Sequence, residues 1–512
     1  MDHSQMKHIM TPEGMVMVMH GVPSWLFALG VGSVILLTFA AVERFGLRNG
    51  SGFRLELTKS RHVRKAIGSP WFRLAFQLPI LAAFLAVIYV GLFGNYARNL
   101  APVLTWTIWW AGLIFGVALL GNAWCFACPW DLLSNIGRKL SMGYELPRWL
   151  RNVYPATLLF IAVTWAELGW GITNNPRQTA VLGALMSFAA MGMAVVFERK
   201  AFCRSVCLVG RTSGMYSLFS PVEIRARDKR VCGTCTTHAC LSGSEEGYGC
   251  PTGIDMSVHN ENTYCTLCTE CFATCPALIP TVNVRPFGTD LPKVVHWRRD
   301  EAVLALTLLA LTGFHGLSMT PVWQNFEPGT TDIVGLIREA LALGQVGAFT
   351  VGMIAIFFVP FAVYGLLTGV AWLWVRPSGV SYGELFVAYA YSLLPVALFY
   401  HLAHNSMHLF MEGQQVIPLL SDPMGTGADL FGTASWHLGP ILSMESVWLL
   451  QVGLVVIGHV FGVTVAHRIS RRLFEDPAWA SRSLIPMTTM MIAVSVAGLW
   501  LMSLDMNMRG RM

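Results

Sequence analysis

Residues 264–276 read YCTLCTECFATCP, a polar stretch with four cysteines in a chain that otherwise has the composition of a membrane protein. The chain has 512 residues, of which 54% are hydrophobic and 12% are charged, whereas soluble domains carry about 25% charged residues. Closely spaced thiols between long apolar segments indicate two separate environments, one in lipid and one that suits metal binding. The position of this stretch therefore sets the organisation of the whole chain.

Apolar windows long enough to cross a bilayer lie on both sides of the cysteine-rich stretch. They predict an all-α polytopic membrane protein with about ten transmembrane helices. The predicted spans lie near 22–42, 72–94, 100–121, 154–172, 178–197, 301–319, 346–374, 384–411, 443–467 and 484–505. An amphipathic segment at 332–344 is predicted to lie on the surface rather than to span.

The predicted spans divide the chain into four parts. These are a Met- and His-rich N-terminus at 1–21, helices 1–5 at 22–197, an inserted cysteine-rich segment at 198–300, and helices 6–10 at 301–512. With the N-terminus outside, 29 of the 35 Lys and Arg residues fall on the inner side, as the positive-inside rule requires. We therefore expect a multi-pass protein of the inner (cytoplasmic) membrane, with both termini periplasmic and the inserted segment cytoplasmic.

All twelve cysteines fall on the predicted cytoplasmic side, where paired spacings indicate metal binding rather than disulfides. Cys265, Cys268, Cys271 and Cys275, followed by Pro276, have the C-x2-C-x2-C-x3-C-P spacing of bacterial [4Fe–4S] ligands. In such sequences three thiolates hold one cluster, and the fourth, before the proline, reaches the other cluster. The stretch therefore predicts a pair of clusters and requires a partner motif.

The partner motif has a looser spacing, x2 then x4 then x9, and also ends in Cys-Pro. By the crossing rule, the two clusters exchange their fourth ligands. The predicted ligands of cluster 1 are Cys232, Cys235, Cys240 and Cys275, and those of cluster 2 are Cys265, Cys268, Cys271 and Cys250. A pair of zinc sites is the alternative.

Two further cysteine pairs follow the third and fifth predicted spans, in GNAWCFACPWDLL and ERKAFCRSVCLVG. Cys125 with Cys128, and Cys203 with Cys207, are both predicted at the cytoplasmic edge of the membrane. If the pairs meet, four thiolates suit a third iron–sulfur centre or another metal, and the same thiols suit a redox dithiol. Unliganded thiols at helix ends are the alternative.

This layout resembles the membrane-bound polyferredoxin proteins of the NosR, NapH and CcoG group over roughly residues 70–320. The resemblance implies membrane electron transfer and a bacterial-type two-[4Fe–4S] ferredoxin domain inserted on the cytoplasmic side. The chain departs from the Cys-x3-Cys-Pro motifs of that group. The pair ending at Cys128 is one residue shorter, and Cys207 is followed by Leu208 instead of proline.

Histidines are concentrated in the last predicted spans, where an ionisable residue indicates a functional site. His401 and His459, at similar depths on neighbouring helices, are predicted as the axial ligands of one b-type haem. A quinone or metal site near the outer surface is predicted at His404, His408, His437 and His315. Hydrogen bonding that serves packing alone is the alternative. Glu167, inside the fourth predicted span, can relay protons or cap a polar helix contact.

The N-terminus combines thioether and imidazole groups, which suit copper. Its residues of these types are Met1, Met6, Met10, Met15, Met17, Met19, His3, His8 and His20. A flexible tail with chance methionines is the expectation, because the chain has 25 methionines in all. A copper site is the alternative.

We interpret the sequence as that of a membrane-bound electron-transfer protein, a possible oxidoreductase component. It passes electrons between cytoplasmic [4Fe–4S] clusters and a membrane haem or quinone site, and it serves a periplasmic or membrane oxidoreductase. The expected partners are the lipid bilayer, other redox subunits, and a cytoplasmic donor or a quinol. A copper reductase or copper-handling assembly protein and a structural subunit of a redox complex are the alternatives. Nucleic acid is not indicated, because membrane topology accounts for the net charge of +6.

Overall fold

The computed structural model describes residues 6–11, 14–41, 53–198, 200–294, 297–325 and 331–508. Long helices occur at each of the predicted spans. They are α1 (Ser24–Ala40), α2 (Pro70–Phe93), α3 (Leu100–Leu120), α4 (Tyr154–Gly169), α5 (Pro176–Val196), α6 (Arg299–Ser318), α7 (Gln345–Val375), α8 (Tyr382–Ser421), α9 (Met444–Leu473) and α10 (Pro477–Ser503). The amphipathic segment forms the short helix Ile333–Leu341.

Eight helices in the described residues are long and apolar enough to cross a membrane, so the chain is a multi-pass membrane protein. The other two predicted spans, α1 and α4, form helices of 17 and 16 residues, which are shorter than a standard span of about 20 residues. The prediction of helices at these positions is confirmed. The count of ten crossings stays a prediction.

The bundle has a buried centre and a lipid-facing periphery. The most apolar window of α8 is 94% buried and that of α6 is 72% buried, whereas those of α2 and α5 are 22% and 28% buried. The central helix α8 carries several histidines together with Asn405 and Ser406. Polar side chains inside a membrane protein face the interior of the bundle because lipid cannot satisfy their hydrogen bonds.

Both ends of the described chain meet in one three-stranded antiparallel sheet. β1 (Met6–Thr11) pairs with β2 (Gly14–Met19), and the C-terminal strand Met506–Met508 pairs with β2. Both chain ends therefore lie at the same end of the bundle, as an even number of crossings requires. The expectation of a flexible N-terminal tail is wrong for these residues, because the C-terminal strand gives them a partner.

The inserted segment folds around a second antiparallel sheet. β4 (Val222–Ala226) and the short β3 (Leu55–Glu56) pair with opposite edges of the strand Pro280–Val284. Three one-turn helices between the two long strands carry cysteines; they are Lys229–Gly233, Ala239–Ser242 and Glu270–Thr274. A small hairpin pairs Gly243–Ser244 with Gly247–Tyr248.

The sequence did not indicate that residues between α1 and α2 belong to this cysteine-rich unit. The helix Arg61–Gly68 packs against Glu270–Thr274. A Cβ atom on Gly68 would lie 2.9 Å from the backbone carbonyl of Phe272, so only glycine allows this approach. The Arg73 guanidinium at the start of α2 forms an ion pair with Glu270. These contacts fix the cysteine-rich unit against the end of the helical bundle.

Candidate redox site

Three small cavities in the described chain are each lined by four cysteines. Cysteine cavity 1 has Cys232, Cys235, Cys240 and Cys275 in its wall. Cysteine cavity 2 has Cys250, Cys265, Cys268 and Cys271. Cysteine cavity 3 has Cys125, Cys128, Cys203 and Cys207. The structure thus brings together the same three sets that the sequence spacing groups, and the role of these cysteines as ligands stays a prediction.

The loop around cavity 2 has an unusual backbone. Leu267 and Thr269 have positive φ angles of 50° and 62°, a region that residues other than glycine, asparagine and aspartate rarely adopt. The Cys265 amide donates a hydrogen bond of 2.9 Å to the Asn262 carbonyl, which closes the turn before the loop. Left-handed residues of this kind cost about 1–3 kcal/mol each and cluster at functional sites. Here they turn the chain so that Cys265 and Cys268 both reach the cavity.

Buried polar contacts hold that loop on the sheet. The Arg225 guanidinium on β4 donates to the Asn262 side-chain oxygen (3.0 Å) and forms an ion pair with Asp290 (3.1 Å). The Asn262 amide in turn donates to Asp290 Oδ2 (2.9 Å). Arg285 joins the same group through Glu223 at 2.8 Å. Each buried charge therefore has an opposite charge, which removes the cost of an unpaired ion.

The thiols of cavity 2 are in a poor environment for uncompensated thiolates. Burial raises the pKa of the Cys265 thiol to about 11 and that of Cys268 to about 12. Burial also raises the pKa of Cys271, and repulsion from neighbouring thiolates adds to it. A bound cation would reverse this effect, because a coordinating thiol is deprotonated by its metal. Free thiols in this cavity are therefore neutral, and a metal bound there would hold them as thiolates.

Two kinds of metal centre take four cysteine ligands. Within the residues described, no group of three or more His, Cys, Asp or Glu side chains is placed to hold a single metal ion. A [4Fe–4S] cluster binds its four thiolates at different irons, so its ligands surround a space rather than converge on one point. Four cysteines around one cavity are a donor set that such a cluster and a tetrahedral zinc ion can both use.

Cavity 3 adds a buried cation to its thiols. Lys200 lines the cavity, is 1% exposed, and forms an ion pair of 2.5 Å with Asp131, which also lines it. The Gly210 amide donates to Cys207 Sγ at 3.3 Å. A nearby lysine and a backbone donor both stabilise negative charge on sulfur. Burial nevertheless raises the pKa of all four thiols. The structure thus places the two membrane-edge pairs together around one cavity, where a bound metal would be needed to hold them as thiolates.

The cysteine cavities adjoin one another in series. Met256 lines both cavity 1 and cavity 2, and Thr266 lines both cavity 2 and cavity 3. Pro251, next to Cys250 of cavity 2, also lines cavity 3. Each cavity therefore adjoins the next, and the order runs from the far side of the cysteine-rich unit to the end of the helical bundle.

A larger cavity of about 250 Å³ lies among α2, α3, α4 and α5, and sequence reasoning missed it. We call it the membrane cavity. It shares Trp124, Cys128 and Trp130 with cysteine cavity 3. Its wall is mostly apolar, and Glu167 is its carboxylate. Small-molecule sites have this character, an apolar wall with few polar groups.

Tryptophans dominate one wall of the membrane cavity. Trp106, Trp109 and Trp110 belong to the π-helical segment Val103–Trp110 of α3. π-helical turns widen a helix locally and are frequent at functional sites. The sequence TWTIWW at 105–110 was the available signal, but tryptophans in a span read equally well as packing or as an interfacial belt.

Glu167 lies between the membrane cavity and a group of buried histidines. His315 Nε2 on α6 is 3.3 Å from Glu167 Oε2 on α4. The His315 ring centroid is 5.3 Å from that of His404 on α8, which is 5.1 Å from that of His408. His408 Nδ1 is 3.3 Å from Glu412 Oε2. The structure therefore brings together three of the four histidines predicted as a quinone or metal site.

His437, the fourth member of that predicted set, is exposed on the loop after α8. The sequence placed it with the others because it falls at the same predicted depth. Depth does not fix lateral position, and the loop carries His437 to the surface. The buried group is instead completed by Glu167 and Glu412, two carboxylates on different helices.

The predicted haem pair does not form a site between its helices. His401 Nδ1 is 3.2 Å from the Tyr216 hydroxyl, whereas His459 uses both ring nitrogens for hydrogen bonds with Thr38 (2.7 Å) and Ser495 (3.0 Å). His401 thus faces Tyr216, and His459 faces α1 and α10. Both nitrogens of His459 therefore have hydrogen-bond partners on helices other than α8.

The helices α8 and α9 are closely packed beside His459. A Cβ atom on Gly458 would lie 2.4 Å from Phe399 Cβ, and one on Gly462 would lie 2.7 Å from Val396 Cγ2. The two helices are therefore in direct contact on either side of the level of His459. The haem prediction used depth along each helix, which does not give the direction in which each ring points, and it stays a prediction.

The terminal sheet aligns the N-terminal methionines in its backbone register. Met6 is opposite Met19, and Met10 is opposite Met15. His8 is opposite Met17, which is opposite Met508 on the C-terminal strand. Met1 and His3 lie outside the described residues. His20 is exposed and pairs with Asp505 at 3.1 Å.

Fold and site together define the class as a multi-pass membrane protein with a series of cysteine-lined cavities at one end of its helical bundle. No protein-family model matches the chain, and no solved structure matches it. The chain is similar to a curated protein of Escherichia coli (strain K12), the "Putative electron transport protein YccM", with 31% identity over 247 residues. The match covers 41% of this chain and 64% of that protein, so the chain spans just under two thirds of the relative's length.

Proposed function

We propose that the chain is a membrane electron-transfer protein that exchanges electrons between iron–sulfur clusters at its cysteine end and a quinol in the membrane cavity. The series of cysteine cavities that ends at the membrane cavity carries this proposal. The similarity to a protein named for electron transport supports it. We further propose that the cysteine end faces the cytoplasm of the inner membrane, on the charge asymmetry of the loops.

The residues of cavities 1 and 2 fit two [4Fe–4S] clusters. Cys232, Cys235, Cys240 and Cys275 would hold one, and Cys250, Cys265, Cys268 and Cys271 the other. Cys125, Cys128, Cys203 and Cys207 would hold a third centre. When bound, such clusters accept and donate single electrons at potentials tuned by charge, hydrogen bonds and exposure. The protein supplies that tuning through Lys200 and the Gly210 amide at cavity 3.

A quinol is the substrate class that fits the membrane cavity. The cavity lies among lipid-facing helices, so an apolar molecule can reach it from the bilayer. Five tryptophans line it, and flat aromatic walls suit a flat ring. Cys128 belongs to the cavity wall and also to the third cysteine set, so a ring bound there would lie beside a redox centre. Glu167 supplies a group that can take up a proton.

Iron analysis of the detergent-purified protein tests the cysteine assignment. Two clusters require about eight irons with matching sulfide, and a third centre requires more. Addition of a short-chain quinol should then bleach the visible absorption of the clusters. Protein that contains stoichiometric zinc and no sulfide would contradict the proposal, and so would clusters that no quinol reduces.

Filling the membrane cavity tests the quinol site. Gly183 on α5 lines the cavity, and a Cβ atom there makes ordinary contacts with Phe84 at 3.4 Å. We expect Gly183→Leu to raise the KM for quinol at least about tenfold, because the side chain occupies the space of the ring. Iron content should not change. The matched control is Gly192→Leu on the same helix, where a Cβ atom meets nothing within 4 Å.

A second candidate function, copper handling, is favoured by the terminal sheet. Its backbone register places Met6 opposite Met19, His8 opposite Met17 and Met10 opposite Met15, and thioether and imidazole groups suit copper. Purified protein that contains copper, and loses it when residues 1–20 are deleted, would support this function. Copper-free protein after growth with added copper would exclude it.

A further inference from the structure

We infer that Glu167, His315, His404, His408 and Glu412 form a proton-transfer chain from the membrane cavity to the end of the bundle opposite the cysteines. This inference rests on the proposed quinol site and deepens it. Electron transfer alone does not require protonatable groups beyond the cavity. A quinol, however, cannot be oxidised without losing two protons, so an apolar cavity needs a route for them.

The chain begins at the cavity wall. Glu167 lines the membrane cavity and lies 3.3 Å from His315 Nε2, which is within range of direct proton exchange after a small movement. Glu167 and His315 have side chains that are 7% and 12% exposed. The pair joins α4 to α6 and so connects the peripheral helices around the cavity to the centre of the bundle.

The chain continues along α8. The ring centroids of His315 and His404 are 5.3 Å apart, and those of His404 and His408 are 5.1 Å apart. Imidazole can accept a proton at one nitrogen and release one from the other, so successive rings relay protons. His408 Nε2 is buried and has no hydrogen-bond partner in the described structure. That nitrogen can therefore accept a proton from the preceding member of the chain.

The chain ends at Glu412, the last residue of the long segment Leu394–Glu412. Its carboxylate is 3.3 Å from His408 Nδ1 and its side chain is 17% exposed. The following residues reach the loop that joins α2 to α3, since the Asn95 amide donates to the Met424 carbonyl at 2.7 Å. That loop lies at the opposite end of α3 from the Cys125 segment. Glu412 can therefore exchange protons with water at the far end.

The reaction balances as follows. One quinol loses two electrons and two protons and becomes a quinone. The two electrons leave at the cysteine end and reduce two equivalents of a one-electron acceptor. Each proton passes to Glu167 and on to Glu412, and the chain returns to its starting charge when the proton leaves. The inference thus separates electrons and protons to opposite ends of the protein.

The test uses the full chain in vesicles, with quinol and ferricyanide, a membrane-impermeant one-electron oxidant, added outside. Only molecules with the cysteine end outward react, and a pH dye inside the vesicle reports proton release. We expect two protons in the lumen per quinol for the unaltered chain. We expect His404→Leu to lower turnover and lumen acidification together at least about tenfold, as loss of an acid–base group does.

Two further variants keep the result interpretable. His315→Gln, a polar replacement of the preceding ring, should have the same effect if His404→Leu does not fold. The control is His467→Leu. His467 is half-buried near the C-terminal end of α9, outside the proposed chain, so this variant should leave turnover unchanged. Iron content and reduction by dithionite should be normal in all three variants.

Three results would overturn the inference. Full turnover in His404→Leu with normal iron would show that the histidines carry no protons. Protons released outside the vesicle would show that they leave at the cysteine end. An unaltered chain that holds its iron but oxidises no quinol would remove the proposed function as well, which distinguishes that failure from the other two.

Discussion

The cysteine end and the histidine interior of this protein both collect reactive side chains, but they do so by different means. At the cysteine end, neighbouring cysteines of one set lie three to five positions apart in a short loop, and each set is completed from a second segment of the chain. In the interior, the group from Glu167 to Glu412 comes from three helices far apart in sequence. Local spacing determines the first kind of site, and helix packing determines the second.

This difference explains which predictions held. Cysteines three positions apart line the same cavity, as their spacing predicts, because a short loop cannot separate them. The meeting of Cys125 and Cys128 with Cys203 and Cys207 in cavity 3 depends instead on packing. Depth along a helix placed His401 and His459 together, whereas in the structure their rings contact different residues, because depth does not give the direction of a ring. A site formed by residues close in sequence can therefore be predicted from the sequence more easily than a site formed by the packing of distant helices.

The sharpest test of the comparison uses two cysteines only four residues apart. Cys271 lines cavity 2 and Cys275 lines cavity 1. We expect Cys271→Ser and Cys275→Ser each to remove about four irons, and the double variant to remove about eight. Metal and sulfide analysis of the purified variants measures this.

The control is a double variant in which both substituted cysteines line cavity 2. The pair Cys265→Ser with Cys271→Ser should remove about four irons, no more than either alone. Loss of only four irons in the Cys271 and Cys275 double variant would mean that both belong to one cluster, and the crossed assignment would be wrong.

Much of the fold could be predicted from the sequence, because long apolar segments have few ways to satisfy their backbone except as helices. The short interruptions could not. The π-helical segment Val103–Trp110 shapes the membrane cavity, yet nothing in TWTIWW separates it from a regular helix. The addition of β3 to the cysteine-rich sheet was also missed, because a two-residue strand has no periodicity to detect.

A second prediction concerns the ion pair that supports cavity 3. Lys200 is fully buried, and Asp131 is its partner at 2.5 Å. We expect Asp131→Asn to destabilise the protein by about 3–5 kcal/mol, because it leaves a buried charge without a counter-ion. Thermal unfolding in detergent measures the change. An effect of this size would show that the Lys200 side chain stays buried at the membrane edge.

The matched control is the ion pair between Arg151 and Glu145, whose side chains are 39% and 78% exposed. Glu145→Gln should leave unfolding unchanged, because water screens an exposed pair. Equal effects of the two variants would mean that the Lys200 site is hydrated rather than buried. The environment of the third cysteine set would then differ from the one described above.

The smallest expected effect is at the outer end of the histidine group. Glu412→Gln removes the last carboxylate, but water reaches this position, so a proton on His408 can still leave. We expect quinol turnover to fall by no more than about fivefold, less than for His404→Leu, because solvent replaces an exposed acid–base group better than a buried one. Steady-state rates for both variants in one vesicle preparation measure the ratio.

A larger loss for Glu412→Gln than for His404→Leu would reverse the order. Glu412 would then control the site from its outer end, and the buried rings would serve packing.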